Sequence, residues 1–448
     1  MDADLEGLTG ALIDAARRAG AEAADAVALA GESLSVEVRG GALEAAERAE
    51  SIDIGLRVLI GKRQACAAAS DIKPATIAAM SERAFAVARE APEDPWCGLA
   101  APGELARDWD AAVLQIEDPR PAPDPAGLER MAREAEAAAL GIAGVSMMDV
   151  AGAGWQQSRQ HLAATNGFSS GFGRTSSGVH AVAITGEGTA MERDWAFESR
   201  VFAADLPEPA DIGRLAGERA VMRAGAGKPP TGAWPVLFDE RVAGSLIGHL
   251  TQAANGASIA RGSSWLKDAL GAPVLPAGID LIEDPRRVRI PGSRPVDAEG
   301  LATARRSIVA KGVLTGWTLD LATARQLGMR STGSAGRGVS SPPSPSTGNL
   351  WLTHGPESLQ DLMAAMGEGL YVTALIGASI NPTTGDYSRG AAGFWIRGGE
   401  IVRPVNECTI AGSLPAMLRT IRPADDGRRT LSRVVPSLLV EGLTIAGE

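Results

Sequence analysis

Side chains able to do chemistry are few in this chain and widely spaced. Histidine occurs as His161, His180, His249 and His354, and cysteine as Cys66, Cys97 and Cys408. A protein-bound metal needs several such groups, or carboxylates, converging on one point. No two of the histidines lie within one helical turn, so no HExxH helix exists, and no two cysteines form a CxxC pair. His249 falls near the edge of an apolar helix face, a place where a histidine commonly packs and hydrogen-bonds. Gly167-Phe168-Ser169-Ser170-Gly171 matches GxSxG. A nucleophile elbow needs a strand before that motif and a helix after it. The residues that follow, GFGRTSSG, read as loop or strand, so a flexible turn is expected. Gly225–Lys228 spells G-A-G-K, but two prolines follow where a phosphate loop needs Ser or Thr and a helix. No GxGxxG follows a strand and opens a helix, which leaves a dinucleotide site without support.

The most informative stretch is Asn381–Gly412, NPTTGDYSRGAAGFWIRGGEIVRPVNECTIAG. It reads as a tight β-meander with a polar loop. Asp386, Tyr387, Ser388 and Arg389 are expected between two strands. On a cleft they could anchor a peptide backbone or a carboxylate, since a guanidinium suits bidentate contact. They could equally cap the loop through an internal Asp–Arg pair. The candidate substrate-binding set is Asn381, Asp386, Tyr387, Ser388, Arg389 and His249, with no catalytic residue and no metal ligand assigned.

The elements that must position these groups can be read from periodicity. Leu5, Leu8, Leu12, Ile13 and Ala16 fall at helical spacing, with Gly20 as a stop. Ser33–Gly40 and Ser51–Gly61 read as strands. Ile77, Met80, Ala84 and Val87 mark a helix entered through Asp71 and Pro74, and Asp124–Leu140 another. Val145–Ala203 is strand-like, and a helix follows at 212–224. Ala224–Pro235 has the composition of a linker, so the expected division is an N-terminal α+β domain, 1–226, and a β-rich α+β domain, 227–448. Trp234–Glu240 is a short strand. Leu246, Ile247, Leu250, Ala253 and Ala254 form one face of a helix that Gly256 can end. Hairpins are expected to turn at Lys311-Gly312 and Gly398-Gly399. Arg337–Asn349 reads as a Ser/Pro loop too polar for a core. Runs of strands with separate helices favour α+β over a doubly wound sheet.

Bulk properties set the boundaries. At 448 residues, 45% hydrophobic and 22% charged, the chain suits a soluble globular protein of two or three domains. A formal charge of −11 argues against nucleic acid as the main partner. There is no run of about 18 apolar residues to cross a membrane. The N-terminus lacks a signal-peptide pattern, and an odd number of cysteines suggests free thiols in a reducing compartment. A cytoplasmic location is expected.

Several segments resemble the TldD/PmbA (TldE) family. Phe238–Leu250, FDERVAGSLIGHL, is similar to its central helix. Gly292–Gly300, GSRPVDAEG, is similar to its GS-PFDDEG pattern, with Val296 for Phe and Ala298 for Asp. Gly312–Gly328, Ser331–Arg337 and Asn381–Gly412 match later blocks in order, and the N-terminal half fits more loosely. The resemblance implies that a TldD-like chain would carry HExxxH on the central helix, with two His binding zinc, the Glu acting as general base, and a C-terminal Cys completing the site. Laid on this sequence, the second His is His249, the first is Gly244, the Glu is Ser245, and no Cys follows Cys408. The chain therefore resembles the PmbA/TldE branch, without a cofactor. The resemblance further implies a heterodimer with a TldD-like, zinc-bearing subunit acting on unfolded or extended peptides. In that assembly Arg337–Asn349 and Asn381–Arg389 would line the substrate channel, and the chain alone would form a homodimer. The alternatives are a non-enzymatic regulator, suggested by the family's association with DNA gyrase and toxin–antitoxin systems, and a zinc-independent hydrolase using Ser169 or Cys66.

Overall fold

The computed structural model describes residues 4–447. The N-terminal part holds helices α1 (Leu5–Ala19), α2 (Pro74–Glu90), α3 (Pro125–Leu140) and α4 (Pro209–Met222). Its strands are β1 (Ala23–Arg39), β2 (Ala42–Ile60), β3 (Arg63–Ala69), β4 (Val145–Ala164), β5 (Ser169–Thr185) and β6 (Glu192–Arg200). Asp4 caps α1 by accepting from the Gly7 amide at 2.8 Å, and Gly20 ends it in the left-handed region at φ 103°. The other three helices start on proline, whose missing N–H costs nothing in the first turn.

The six strands form one antiparallel sheet in the order β3-β2-β1-β4-β5-β6. Alternate residues of β1 place Ala24, Ala26, Ala28, Leu34, Val36 and Val38 on one face, and all four helices cover that face. Alanines line much of the contact, so α3 and α4 approach closely: a Cβ on Gly213 would fall 1.9 Å from the Ala135 carbonyl. Both β1 and β2 run well beyond the segments expected from alternation. The extra length of β2, from Ala42 to Ser51, is largely exposed and charged, so it carries no apolar alternation to read.

The rest of the chain begins with β7 (Gly232–Phe238), α5 (Glu240–Ala253) and α6 (Gly256–Ala260). Gly256 opens α6 rather than ending α5, because Asn255 caps the new helix through the Ala257 amide at 2.9 Å. Short strands follow: β8 (Leu281–Glu283), β9 (Arg306–Ala310), β10 (Val313–Leu314), β11 (Ala335–Gly336), β12 (Ser344–Pro345) and β13 (Leu350–Leu352), with α7 (Leu321–Gln326) between β10 and β11. Then come α8 (Leu359–Met366), β14 (Glu368–Ile380), β15 (Asp386–Arg397), β16 (Glu400–Ser413), α9 (Leu414–Leu418), β17 (Arg422–Pro423), β18 (Arg433–Val434) and β19 (Leu438–Ala446).

Two sheets organise this part. One runs β10-β9-β8-β13-β18. The other runs β16-β15-β14-β7-β19-β17, and an added β16–β19 pairing closes five of its strands into a ring. Both expected hairpin turns form, with Lys311-Gly312 at φ 50° and 84° and Gly398-Gly399 at φ 64° and 81°. The fold is α+β, as the sequence pattern implies. The segment 337–349 is not simply a polar surface loop. The Arg337 side chain is 1% exposed, Asn349 is fully buried, and the Pro345 carbonyl accepts from Asn255 Nδ2 at 2.9 Å. Polar residues can be buried there because each finds a partner across the fold.

Candidate functional site

Helix α5 is fixed at its N-terminus and open along one side. Asp239 caps it through the Arg241 amide at 2.9 Å and accepts from the Tyr371 hydroxyl. Arg241 bridges Asp239 and, on β6, Asp194, each at 2.9 Å, with its side chain 5% exposed. The helix is thus tied to the first sheet by buried, hydrogen-bonded charges. Ala243, Leu246, Ile247 and Leu250 enter the core. Gly244, Ser245, Gly248 and His249, spaced i, i+1, i+4, i+5, make a half-exposed stripe on another side.

Arg433 of β18 lies on that stripe. A Cβ on Gly244 would meet its Cδ at 3.5 Å, and one on Gly248 its Nη1 at 3.1 Å. The two glycines therefore form a shallow groove that holds the arginine stem. The Arg433 side chain has no hydrogen bond or ion pair among the described residues. His249 is adjacent, with its ring edge-on to Tyr387 at 6.0 Å. Its Nε2 is buried without a partner among the described residues, as are the Tyr387 hydroxyl and Thr373 Oγ1 on β14. Burial, then Arg389, then Arg433 lower the His249 pKa, so the ring is neutral at neutral pH. Burial also pushes the Tyr387 phenol well above its usual range.

The expected site residues divide into two groups. Tyr387 and Arg389 alternate onto one face of β15, and Tyr387 packs on His249. Arg389 donates from Nε to the Gly377 carbonyl at 2.6 Å. Asn381 and Asp386, the first residue of β15, instead fix the turn that leads into that strand. Asn381 Oδ1 accepts from the Thr383 amide at 2.9 Å, its N–H donates to the Asp386 carbonyl at 2.9 Å, and the Asp386 carboxylate accepts from Thr384 Oγ1 at 2.6 Å. Ser388 points to the opposite side of β15. No Asp386–Arg389 pair exists, because strand alternation turns the guanidinium toward β14. Tyr387, Ser388 and Arg389 belong to the strand itself rather than to a loop.

The edge of β14 is the second component. β7 pairs with it only from Leu370 to Val372 and then gives way to α5. From Thr373 to Ile380, no strand among the described residues covers that edge. A bulge between Ile376 and Ser379 twists it, and Ile376 is 69% exposed. Arg433, Thr373 and this edge left no trace in sequence spacing. Arg433 stands on a two-residue strand, too short for periodicity.

A zinc ion does not fit here. Among the described residues no three His, Cys, Asp or Glu side chains cluster for a metal. The charges acting on His249 are those of two arginines, which oppose a cation. Cys408 is buried in β16 beside the Ala391 carbonyl, and burial pushes its thiol up to about 11. Burial also raises Cys66, which weakens it as a nucleophile. Ser169 Oγ is 3.3 Å from His161 Nε2, and Thr9 Oγ1 is 2.8 Å from its Nδ1. Ser169 starts β5 directly after a hairpin from β4, with no elbow helix behind it. Two troughs of about 590 and 770 Å³ lie over β1, β4 and β5, lined by groups such as Ser33, Arg174 and His180, and Glu32, Arg120 and Gln157.

An antiparallel sheet backed by four helices, joined to a partly closed sheet carrying a cleft helix, defines a fold class already seen in solved structures. A candidate modulator of DNA gyrase from Bacteroides thetaiotaomicron superposes with TM-score 0.90 at 24% identity, covering 99% of this chain and 98% of that one. TldE from Thermococcus kodakarensis superposes with TM-score 0.84 at 19% identity, covering 98% and 100%. Sequence narrows the class further. Family models for the PmbA/TldA metallopeptidase match as domain 1 over 24–88, the central domain over 118–224 and the C-terminal domain over 231–447. Metalloprotease PmbA of Escherichia coli O157:H7 is 34% identical over 417 residues, 93% of this chain and 90% of that protein. A Metalloprotease PmbA homolog of Haemophilus influenzae is 32% identical over 448 residues, 97% of this chain and 94% of that protein. The chain belongs to the PmbA/TldE family. No helix among the described residues is long and apolar enough to cross a membrane.

Proposed function

We propose that this chain is the substrate-holding subunit of a two-component peptidase of TldD/TldE type. A TldD-like partner supplies zinc and hydrolysis, and this chain takes an unfolded or extended peptide alongside α5. The observation that carries the reading is the unpaired β14 edge from Thr373 to Ile380 beside a cleft helix that lacks a ligand set. An exposed edge can accept a strand through backbone hydrogen bonds, largely independent of peptide sequence. The exposed residues of 338–342 and the turn 381–384 sit at the channel wall in this assembly. Residues 1–226 and 227–448 act as its two working units, the location is cytoplasmic, and the chain alone pairs with a second copy. A charge of −11 weighs against direct contact with DNA.

The test mixes this chain with its TldD-like relative and follows cleavage of an unfolded peptide. A clear gain over the relative alone supports the reading, and no gain overturns it. Metal analysis is a second check, because one tightly bound zinc per chain would contradict the metal-free assignment. The 3.3 Å Ser169–His161 contact favours a second reading, an independent hydrolase. That reading requires chelator-resistant peptidase activity by the chain alone.

A further inference from the structure

We infer that Arg389 and Arg433 form a carboxylate-binding subsite at the end of the α5 stripe, and that it takes a carboxylate of the bound peptide. The inference rests on the peptide-holding reading and adds the chemical group that the site recognises. Three observations converge. First, the two arginines reach the His249 side of α5 from different elements: Arg433 on β18 rests on Gly244 and Gly248, and Arg389 shares a face of β15 with Tyr387, which packs on His249. In a chain with 54 acidic and 43 basic residues, a local pair of like charges is a departure from the overall sign.

Second, the charges are open. The Arg433 side chain has no partner among the described residues, and Arg389 uses only its Nε, on the Gly377 carbonyl. Arg241, at the N-terminus of the same helix, is by contrast closed by Asp239 and Asp194. An arginine lacking an acid, next to a buried unpartnered imidazole nitrogen, is a place where an anion restores what the protein leaves unsatisfied.

Third, the Gly244–Gly248 groove receives the Arg433 side chain, while the residue as a whole stays exposed and accessible to a ligand. The neutral His249 ring adds no third positive charge and offers an apolar wall with Tyr387. Gly377, whose carbonyl positions Arg389, lies on the open β14 edge. A peptide added to that edge thus runs past Arg389. One carboxylate, rather than a polyanion, matches two guanidinium groups on an otherwise acidic protein.

The test is fluorescence anisotropy with an N-terminally labelled, uncharged hexapeptide in three forms: free acid, C-terminal amide, and amide with one internal Glu. The expected result is about tenfold tighter binding of a carboxylate form than of the plain amide. The Arg433→Gln variant, with an unchanged melting temperature, should lose that preference, and Arg389→Lys should keep part of it. Preference for the free acid alone identifies the peptide terminus as the source, and equal preference for the Glu peptide admits a side chain. Equal binding of acid and plain amide by the unaltered chain, or a preference retained in Arg433→Gln, overturns the subsite while leaving peptide holding intact. No binding of any form, even with the TldD-like relative present, defeats the peptide-holding reading and the subsite together.

Discussion

Two regions of the molecule use arginine in opposite ways. Where the first sheet meets the rest of the chain, Asp25 on β1 sits between Arg57 on β2 and Arg337. Arg57 Nε donates to Asp25 Oδ2 at 2.6 Å, and Arg337 pairs with the other oxygen, its own side chain 1% exposed. Every charge there is buried and opposed. At the α5 stripe, neither Arg389 nor Arg433 has an acidic partner among the described residues, and His249 Nε2 and the Tyr387 hydroxyl are buried without a partner. A buried charge is tolerated only when paired, so the first arrangement joins parts of the fold. The second leaves charge unanswered at a surface, which stability alone does not call for. The comparison sets a structural junction against the region proposed to bind ligand.

The largest effect that could break this contrast is at Asp25. Asp25→Ala leaves Arg57 and Arg337 buried without an opposing charge, and a loss of roughly 3–5 kcal/mol is expected in denaturant unfolding. A loss under ~1 kcal/mol would mean that the junction is not held by its ion pairs.

Next is Glu299, which shares a small buried space with Asp25 and Arg57 and accepts from the Leu321 amide at 2.8 Å. Burial first, then Asp297 and Asp320, push its carboxyl up to about 8. The folded state therefore keeps a proton that the unfolded chain releases near 4.5. Stability is full below that value and falls as pH rises toward about 8. Glu299→Gln keeps the acceptor and removes the ionisation, so it should flatten the pH profile and gain more than ~1 kcal/mol at pH above 8. An unchanged pH profile of the melting temperature would refute this.

At the open region, stability should barely move. Arg433→Gln is expected to change unfolding by less than ~0.5 kcal/mol, while the His249 pKa rises because one repelling cation is gone. NMR titration of the imidazole checks the sign, and a large destabilisation would move Arg433 to the structural side. The smallest effect is at Ser169. Ser169→Ala should leave cleavage by the assembled two-chain system unaltered, and a severe loss of rate would revive the hydrolase reading.

Legibility followed the same division. The long helices and both tight turns were readable because apolar period and Gly placement are local signals. The length of β2, the start of α6 at Gly256 and the burial of Arg337 were not readable. The stretch of β2 from Ala42 to Ser51 is largely exposed and carries no apolar alternation, α6 starts on an Asn255 cap that also bonds the distant Pro345, and Arg337 is buried against Asp25 far away in sequence. Asn381, Asp386 and Ser388 were grouped with Tyr387 and Arg389 because they are neighbours in sequence. Strand alternation and turn hydrogen bonds then separated them.

The sequence by itself determined the α+β class and the family, because these reside in residue types and short spacings. Only the tertiary structure decided what lies against the half-exposed side of α5. Arg433 is brought onto Gly244 and Gly248 from 185 positions beyond Gly248 along the chain. Strand pairing at β18, not any local pattern, puts it there, and electrostatics between distant groups exists only once the chain has closed.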